Sequence, residues 1–263
     1  MLSRLTRSQA VAICALPVVA LLATAAFAPL PFSVAQPGMT ANVLGANKGT
    51  QVITISGAPT RKTSGQLRMT TIEATGPNAQ VSLGDVLGNW FRTDRAVMPR
   101  DAVYPSGDSL KEIERHNAEQ MQQSQDAATR AALKYLDLSG DKVKVRLSLA
   151  DVGGPSAGLL FTLGIIDKLD GDGSGGDLTG GRDIAGTGTI DAAGKVGPVG
   201  GVALKTQAAR RDGATVFLVP KAECSDAKAE LPKGLRLIPV TTLKGAVDSL
   251  VALEKGKGPV PVC

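Results

Sequence analysis

One run constrains the fold more than any other. From Leu159 to Leu169 the chain reads Leu-Leu-Phe-Thr-Leu-Gly-Ile-Ile-Asp-Lys-Leu, apolar on nearly every side of a helix. Such a helix cannot face water, so the spacing predicts a central buried helix with other layers packed around it. It is approached through Lys142–Leu149, a strictly alternating stretch that places Val143, Val145, Leu147 and Leu149 on one face of a strand. Between strand and helix lies Asp151-Val-Gly-Gly-Pro-Ser-Ala-Gly158. A serine set among glycines at a helix start is exposed beside unpaired backbone N–H groups and the positive end of the helix dipole, where an oxyanion is stabilised. Pro155 has no N–H, so the donors fall to the backbone near Gly154 and Ser156. Taken alone, the same stretch is also an ordinary strand-to-helix turn.

If Ser156 is a nucleophile, its base is not histidine. The one histidine, His116, sits among Glu112, Glu114, Arg115, Asn117 and Glu119 on the polar face of a helix expected from Ser109 to about Leu136. A Ser-His-Asp triad would have to recruit a solvated side chain, and a histidine-based zinc site has no second histidine. Lys205 is the other candidate. On a helix from Val202 to Asp212 it shares a face with Gly201, Val202, Ala208 and Ala209, while Arg210 and Arg211 fall on the polar side. Loss of solvent there lowers an ammonium pKa toward the range of a general base. The bland alternative is a lysine snorkelling from the edge of an amphipathic helix.

Composition excludes other classes. The net charge is +5, but 29 basic residues are scattered among 24 acidic ones, and five Phe, two Tyr and one Trp are too few for a stacking platform. Nucleic-acid binding is not expected. No Gly-x-x-x-x-Gly-Lys-Ser/Thr stretch occurs, so ATP binding is not expected either. Asp170-Gly-Asp-Gly-Ser-Gly175 matches the first half of a calcium loop, but Gly181 stands where the bidentate acid is needed. It reads as a surface loop, and no metal or cofactor is expected.

The N-terminus is a targeting signal. Arg4 and Arg7 precede an uncharged run from Ser8 to Ala35 that is long enough to span a bilayer with its basic end inside. Ala26-Phe27-Ala28 has the small-x-small form of a cleavage site, but the apolar run is long and Pro29 would follow the cut. An uncleaved single-pass anchor in the cell membrane is the preferred reading, with the rest of the chain outside the cytoplasm. Cleavage after Ala28 would make it secreted. Cys14 within the run reads as a packed, inert thiol. Cys224 and Cys263 would lie where a disulfide is permitted, or remain two free thiols.

The expected division is 1–36 for the anchor, 37–107 for a β-rich module, 108–139 for a helical connection, 140–254 for the candidate catalytic domain and 255–263 for a coil tail. Strands are expected at Gln51–Ser56 and Gly65–Ile72, and an amphipathic helix at Val81–Arg92 whose Trp90 is either core or a membrane-interface contact. Glu112 stands in capping-box position to Ser109. Beyond it come a strand from Asp183, a hairpin turn at Ala192–Lys195 with a returning strand, strands at Thr215–Val219 and Leu235–Ile238, and helices around Ala222–Glu230 and Thr242–Glu254. The hairpin implies antiparallel pairing, so the expected class is α+β and not a doubly wound sheet.

Two separated motifs carry a resemblance. Gly154-Pro-Ser-Ala-Gly158, then Thr187-Gly-Thr-Ile190, Gly194-Lys-Val196, Pro198-Val-Gly-Gly201 and Lys205 follow the order of the Lon proteolytic domain. Over about Lys142–Glu254 the chain resembles that family, which implies Ser156 as nucleophile, Lys205 as general base and Thr187 beside the dyad. It further implies an endopeptidase acting on polypeptide, and assembly of the chain into rings. Pro29–Phe32, Val43–Gly45 and Glu119–Leu136 resemble the membrane-anchored, PDZ-containing Lon-like proteases of Gram-positive bacteria. The chain departs from them in having no room for a PDZ domain between Leu136 and the serine turn. It departs from many ATP-dependent Lon enzymes in carrying Gly153, three positions before the serine, where they have an acid. The nucleotide-hydrolysing module of full Lon is not in this sequence, so the expected peptidase is ATP-independent. Two other readings of the same residues stay open: a Lon-fold scaffold without catalysis, and hydrolysis of a non-peptide acyl substrate.

Overall fold

The computed structural model describes residues 6–105, 109–149 and 152–263. Arg4, Asp151 and the expected boundary at 107/108 lie outside the described residues. In chain order, helix α1 (Arg7–Phe27) is followed by strands β1 (Phe32–Asn42), β2 (Ala46–Asn47), β3 (Thr50–Gln51), β4 (Ile53–Ser56) and β5 (Gln66–Ala74). Next come α2 (Leu83–Trp90), β6 (Ala96–Pro99), α3 (Arg100–Val103), α4 (Leu110–Tyr135), β7 (Lys144–Leu147) and α5 (Gly158–Leu169). The remainder is β8 (Asp183–Gly186), β9 (Thr189–Ile190), β10 (Val196–Gly197), α6 (Val202–Arg211), β11 (Val216–Pro220), α7 (Cys224–Ala229), β12 (Arg236–Val240) and α8 (Leu243–Lys255).

These elements form two compact units, one of residues 1–35 and 74–108, the other of 36–73 and 109–263. The stretch 37–107, read from the sequence as one module, is therefore divided at residue 73. Val43, Val52, Ile53, Leu67 and Met69 belong to the same apolar core as α5.

In the smaller unit α1 has the length and composition of a membrane span or signal, with mean hydropathy 2.5 and no residue buried in the protein. Cys14 is a free thiol exposed on its surface. The start of β1 pairs antiparallel with β6, Phe32 opposite Pro99.

The larger unit is built around α5. Every residue from Gly158 to Asp167 is buried. Beside it α4 contributes Ala128, Ala131 and Ala132, small side chains that let the two helices approach until Thr162 Oγ1, which donates to the Gly158 carbonyl at 2.8 Å, stands 3.4 Å from the Ala128 carbonyl. Gly164 permits the same on another side, since a Cβ there would stand 2.6 Å from Ile53 Cδ1 and 3.0 Å from Val43 Cγ2. Ser109 is the N-cap of α4, but its side chain makes no capping hydrogen bond, so the expected capping box is not formed.

The sheet of this unit has the order β12, β11, β8, β5, β1. Neighbouring pairs β5–β8, β8–β11 and β11–β12 are parallel, with Leu67 opposite Ile184 and Val216 opposite both Ile184 and Arg236. The antiparallel pairing expected from the hairpin thus holds for β9 and β10 and not for these three pairs. The hairpin exists, with Ile190 opposite Val196, but β9 and β10 form a separate ribbon. In the main sheet the chain passes from β8 to β11 through α6 and from β11 to β12 through α7, and helical crossovers of this kind join parallel strands. The most regular alternation, Lys142–Leu149, gives only β7, in a two-stranded ribbon with β4. In the glycine-rich loop, Asp172 Oδ1 accepts from the Ser174 and Gly176 N–H groups at 2.8 and 2.7 Å, and Lys255 Nζ lies 3.1 Å from Oδ2. That carboxylate is engaged by its own loop.

Cys224 and Cys263 are joined in a disulfide that ties the tail to the start of α7. Of the two sequence-level alternatives, the structure adopts the bond.

Two outcomes are expected in urea unfolding. Phe161→Ala, which empties a fully buried position, should lower stability by about 3–5 kcal/mol. Cys263→Ser should lower it by about 2–4 kcal/mol through loss of a 39-residue cross-link. Stability of Phe161→Ala within error of the parent would contradict the placement of α5 at the centre.

Candidate active site

The site is assembled where α5, α6 and the end of β8 converge. β8 runs into Thr187, which is fully buried and held by its N–H to the Leu218 carbonyl of β11 at 3.1 Å. The next residue, Gly188, donates its N–H to the Ser156 carbonyl at 3.0 Å and accepts from the Leu159 N–H at 3.1 Å. The serine turn is thereby fastened to the end of a central strand. On its other side α4 holds the same turn, with the Gly154 N–H on the Asn117 carbonyl at 3.2 Å and Ser124 Oγ donating to the Pro155 carbonyl at 3.0 Å.

Lys205 sits one turn into α6 and is only 4% exposed. Its neighbours on that face, Val202, Ala208 and Ala209, are fully buried, whereas Arg210 and Arg211 are exposed. The helix begins at Gly201, whose φ of +68° favours glycine and whose Cβ position lies 2.9 Å from Ile72 Cγ2. Lys205 Nζ donates to Thr187 Oγ1 at 3.2 Å, and Thr187 Oγ1 donates to the Ser156 carbonyl at 3.3 Å. The threonine thus connects the amine to the backbone of the serine turn. Burial pushes the Lys205 pKa down to about 8, while the negative charge of Glu223 acts in the opposite direction. Such an amine is neutral in an appreciable fraction of molecules near neutral pH.

Two carboxylates that sequence reasoning passed over hold the approach to α6. Glu223 Oε1 accepts the Val199 N–H at 2.7 Å, and Asp226 Oδ2 accepts the Val202 N–H at 3.0 Å. Their bonding partners lie 24 residues away. The available signal was the three-residue spacing of two acids on a short helix after Pro220, which aligns them on one face.

The backbone N–H groups expected near an oxyanion are in different states. The Gly154 N–H is taken by Asn117, whereas the N–H groups of Ser156 and Ala157 have no hydrogen-bond acceptor among the described residues. Gly153 is exposed, and a Cβ there would come 2.7 Å from Asn117 Cβ. An acid at that position would require α4 to move, so α4 occupies the space that such a side chain would need. His116 is half-buried, not fully solvated, with Nε2 2.9 Å from Gln120 Nε2. Beside Pro155 opens a cleft of about 400 Å³, lined by Gln120, Ser124 and Arg130 of α4 and by Ile190 and Asp191 of the hairpin.

A glycine-flanked serine at a helix start, a buried lysine and a threonine between them stand in the order of the two sequence motifs. Residues 142–252 match the Lon protease (S16) C-terminal proteolytic domain. Over this stretch the chain is similar to that family. It is 36% identical over 111 residues to a Lon protease of Chloroflexus aggregans, covering 41% of this chain and 12% of that protein. To Lon protease 1 of Myxococcus xanthus it is 35% identical over 105 residues, covering 39% of this chain and 12% of the relative. To a Lon protease of Azospirillum brasilense it is 38% identical over 105 residues, covering 38% and 12%. The chain thus spans about 12% of the length of these curated relatives. The compact unit that carries this match also takes in structure upstream of it, because α4 and β4 are packed into its core.

Nuclear magnetic resonance of isotope-labelled Lys205 should give a titration midpoint near the value of about 8 set by burial. Glu223→Gln removes an attractive charge while leaving an oxygen for the Val199 N–H. It should therefore move the midpoint lower. A midpoint in the ordinary lysine range would contradict the burial of this amine.

Proposed function

We propose that the Lon-type domain is a serine endopeptidase that uses a Ser156–Lys205 dyad and requires no nucleotide for the chemical step. The hydrogen-bonded path from Lys205 Nζ through Thr187 Oγ1 to the Ser156 carbonyl carries this reading. It supports a base whose pKa is lowered by burial and whose position is coupled to the turn bearing the nucleophile. Neutral Lys205 accepts the Ser156 hydroxyl proton as Oγ forms a bond to the substrate carbonyl carbon. The Ser156 and Ala157 N–H groups, at the positive end of the α5 dipole, receive the developing oxyanion. The C–N bond then breaks, with the lysine proton passing to the leaving amine. Water, deprotonated by Lys205, attacks the acyl-enzyme and releases the carboxylic acid, and Ser156 regains its proton. Thr187 supports the dyad by holding Lys205 Nζ.

The substrate is exposed or unfolded polypeptide, entering by the cleft beside Pro155. We place the domain outside the cytoplasm on a single-pass anchor formed by α1, or in secreted form if the chain is cut after Ala28. The length of α1 and the Cys224–Cys263 disulfide support this, since disulfides persist in oxidising compartments. Self-assembly into a ring is a proposal that follows from the family alone.

Ser156→Ala and Lys205→Ala should each lower cleavage of an unstructured protein such as casein by about a thousandfold or more, with circular dichroism unchanged. Thr187→Val should lower kcat more than it raises KM. In the parent, kcat/KM should rise with pH and level off above about 8, because only the neutral lysine accepts a proton. Retained turnover in folded Lys205→Ala would sink the dyad.

A further inference from the structure

In the smaller unit, α2 carries an apolar stripe that nothing in the protein covers. Leu83, Leu87, Trp90 and Phe91 are spaced four, three and one apart, which puts them on one side of the helix. They are 38%, 52%, 64% and 83% exposed, while Val86, at the edge of the stripe, is buried. Core packing, the first sequence-level reading of Trp90, is therefore not its role. Large apolar side chains aligned outward on an amphipathic helix belong to a surface that meets something.

Its place in the chain identifies what it meets. Helix α1 ends at Phe27, and three residues later the Leu30 N–H donates to the Val81 carbonyl at 2.8 Å. Val81 immediately precedes Ser82, the N-cap of α2. The Arg100 guanidinium secures both sides of this bridge, donating to the carbonyls of Leu30 at 3.3 Å and Ala79 at 2.8 Å. α2 also packs directly against α1. Once α1 spans a bilayer, α2 is held at the depth where α1 leaves it. That depth is the layer where tryptophan, with an apolar ring and an N–H donor, is most at home. Phe27, 83% exposed at the end of α1, lies at the same level.

We propose that α2 is a second membrane contact, lying flat in the interfacial layer where α1 exits and burying Leu83, Leu87, Trp90 and Phe91 against lipid. The proposal rests on the reading of α1 as a membrane anchor. A single spanning helix leaves the attached unit free to swivel about the helix axis, and an interfacial helix beside it removes that freedom. The smaller unit is then seated on the bilayer in one orientation.

Trp90 is the only tryptophan in the chain, so its fluorescence reports on α2 directly. The full chain is reconstituted into vesicles of phosphatidylcholine and phosphatidylglycerol, and flotation, emission and quenching are measured. The expected result is co-flotation, blue-shifted Trp90 emission, quenching by lipids brominated near the headgroup end of the acyl chain, and protection from acrylamide. The double variant Leu87→Ser, Phe91→Ser should keep co-flotation and casein cleavage but lose the blue shift and the bromine quenching. Protein that floats with Trp90 open to acrylamide and untouched by brominated lipid overturns the proposal and leaves the anchor standing. Trp90 shielded from acrylamide but unquenched by brominated lipid also overturns it, because a second copy or another protein then covers the stripe. Protein that does not float refutes the anchor, and the proposal with it.

Discussion

The site depends on one buried amine. An ammonium group taken out of water loses its solvation, and Lys205 is compensated chiefly by a neutral hydroxyl, that of Thr187, with Glu223 acting on it only as a nearby charge. Burial therefore shifts the lysine toward its neutral form. Among the charged groups on elements packed against α6, Asp183 is paired with Arg68, Asp226 with the Val202 N–H, and Lys228 is exposed; β11 carries no charged side chain. Glu223 thus stands alone as the carboxylate that tempers the effect of burial.

That amine can be held in place only because Thr187 is itself immobile. It follows β8, which is flanked in the sheet by β5 and β11, so its backbone is fixed from both sides. From Thr187 and Gly188 the order spreads to the Ser156 carbonyl and so to the start of α5. The central helix therefore has two roles joined by geometry. Its apolar surface organises the core, and its N-terminus, kept in register by Gly188 and α4, points its free N–H groups at one place. The serine turn, the lysine and the threonine come from different parts of the fold, and the Thr187 hydroxyl joins the Lys205 amine to the Ser156 carbonyl.

Much of this was legible beforehand, for identifiable reasons. Helix α5 was visible because an all-round apolar run has one stable environment. Lys205 stood out because the helical period sorts it with alanines and away from Arg210 and Arg211. The parallel sheet was not visible. Of its strands, β8 and β11 are short and almost wholly buried, without alternation, whereas the hairpin at Ala192–Lys195 announces itself through local turn chemistry: Asp191 Oδ1 accepts from the Ala193 and Lys195 N–H groups, both at 2.9 Å. Local signals overstated the ribbon and understated the sheet. The division of residues 37–107 was missed for a similar reason, since composition does not reveal which short strands join a distant core.

By itself, the sequence determined the elements that arise from nearest neighbours: the apolar central helix, the serine turn before it, the lysine on an apolar face and the N-terminal apolar helix. It also left Cys224 and Cys263 as a pair to be bonded or not. Only the tertiary structure decided that Thr187 would link Lys205 to the serine turn, that Glu223 and Asp226 would hold the approach to α6, and that Asn117 would fill the space beside Gly153. These contacts join residues many positions apart, and their partners are selected by how layers pack around α5. Periodicity and turn chemistry act over a few residues, whereas packing acts across the whole core, so the partners of the buried lysine become visible only once the core is built.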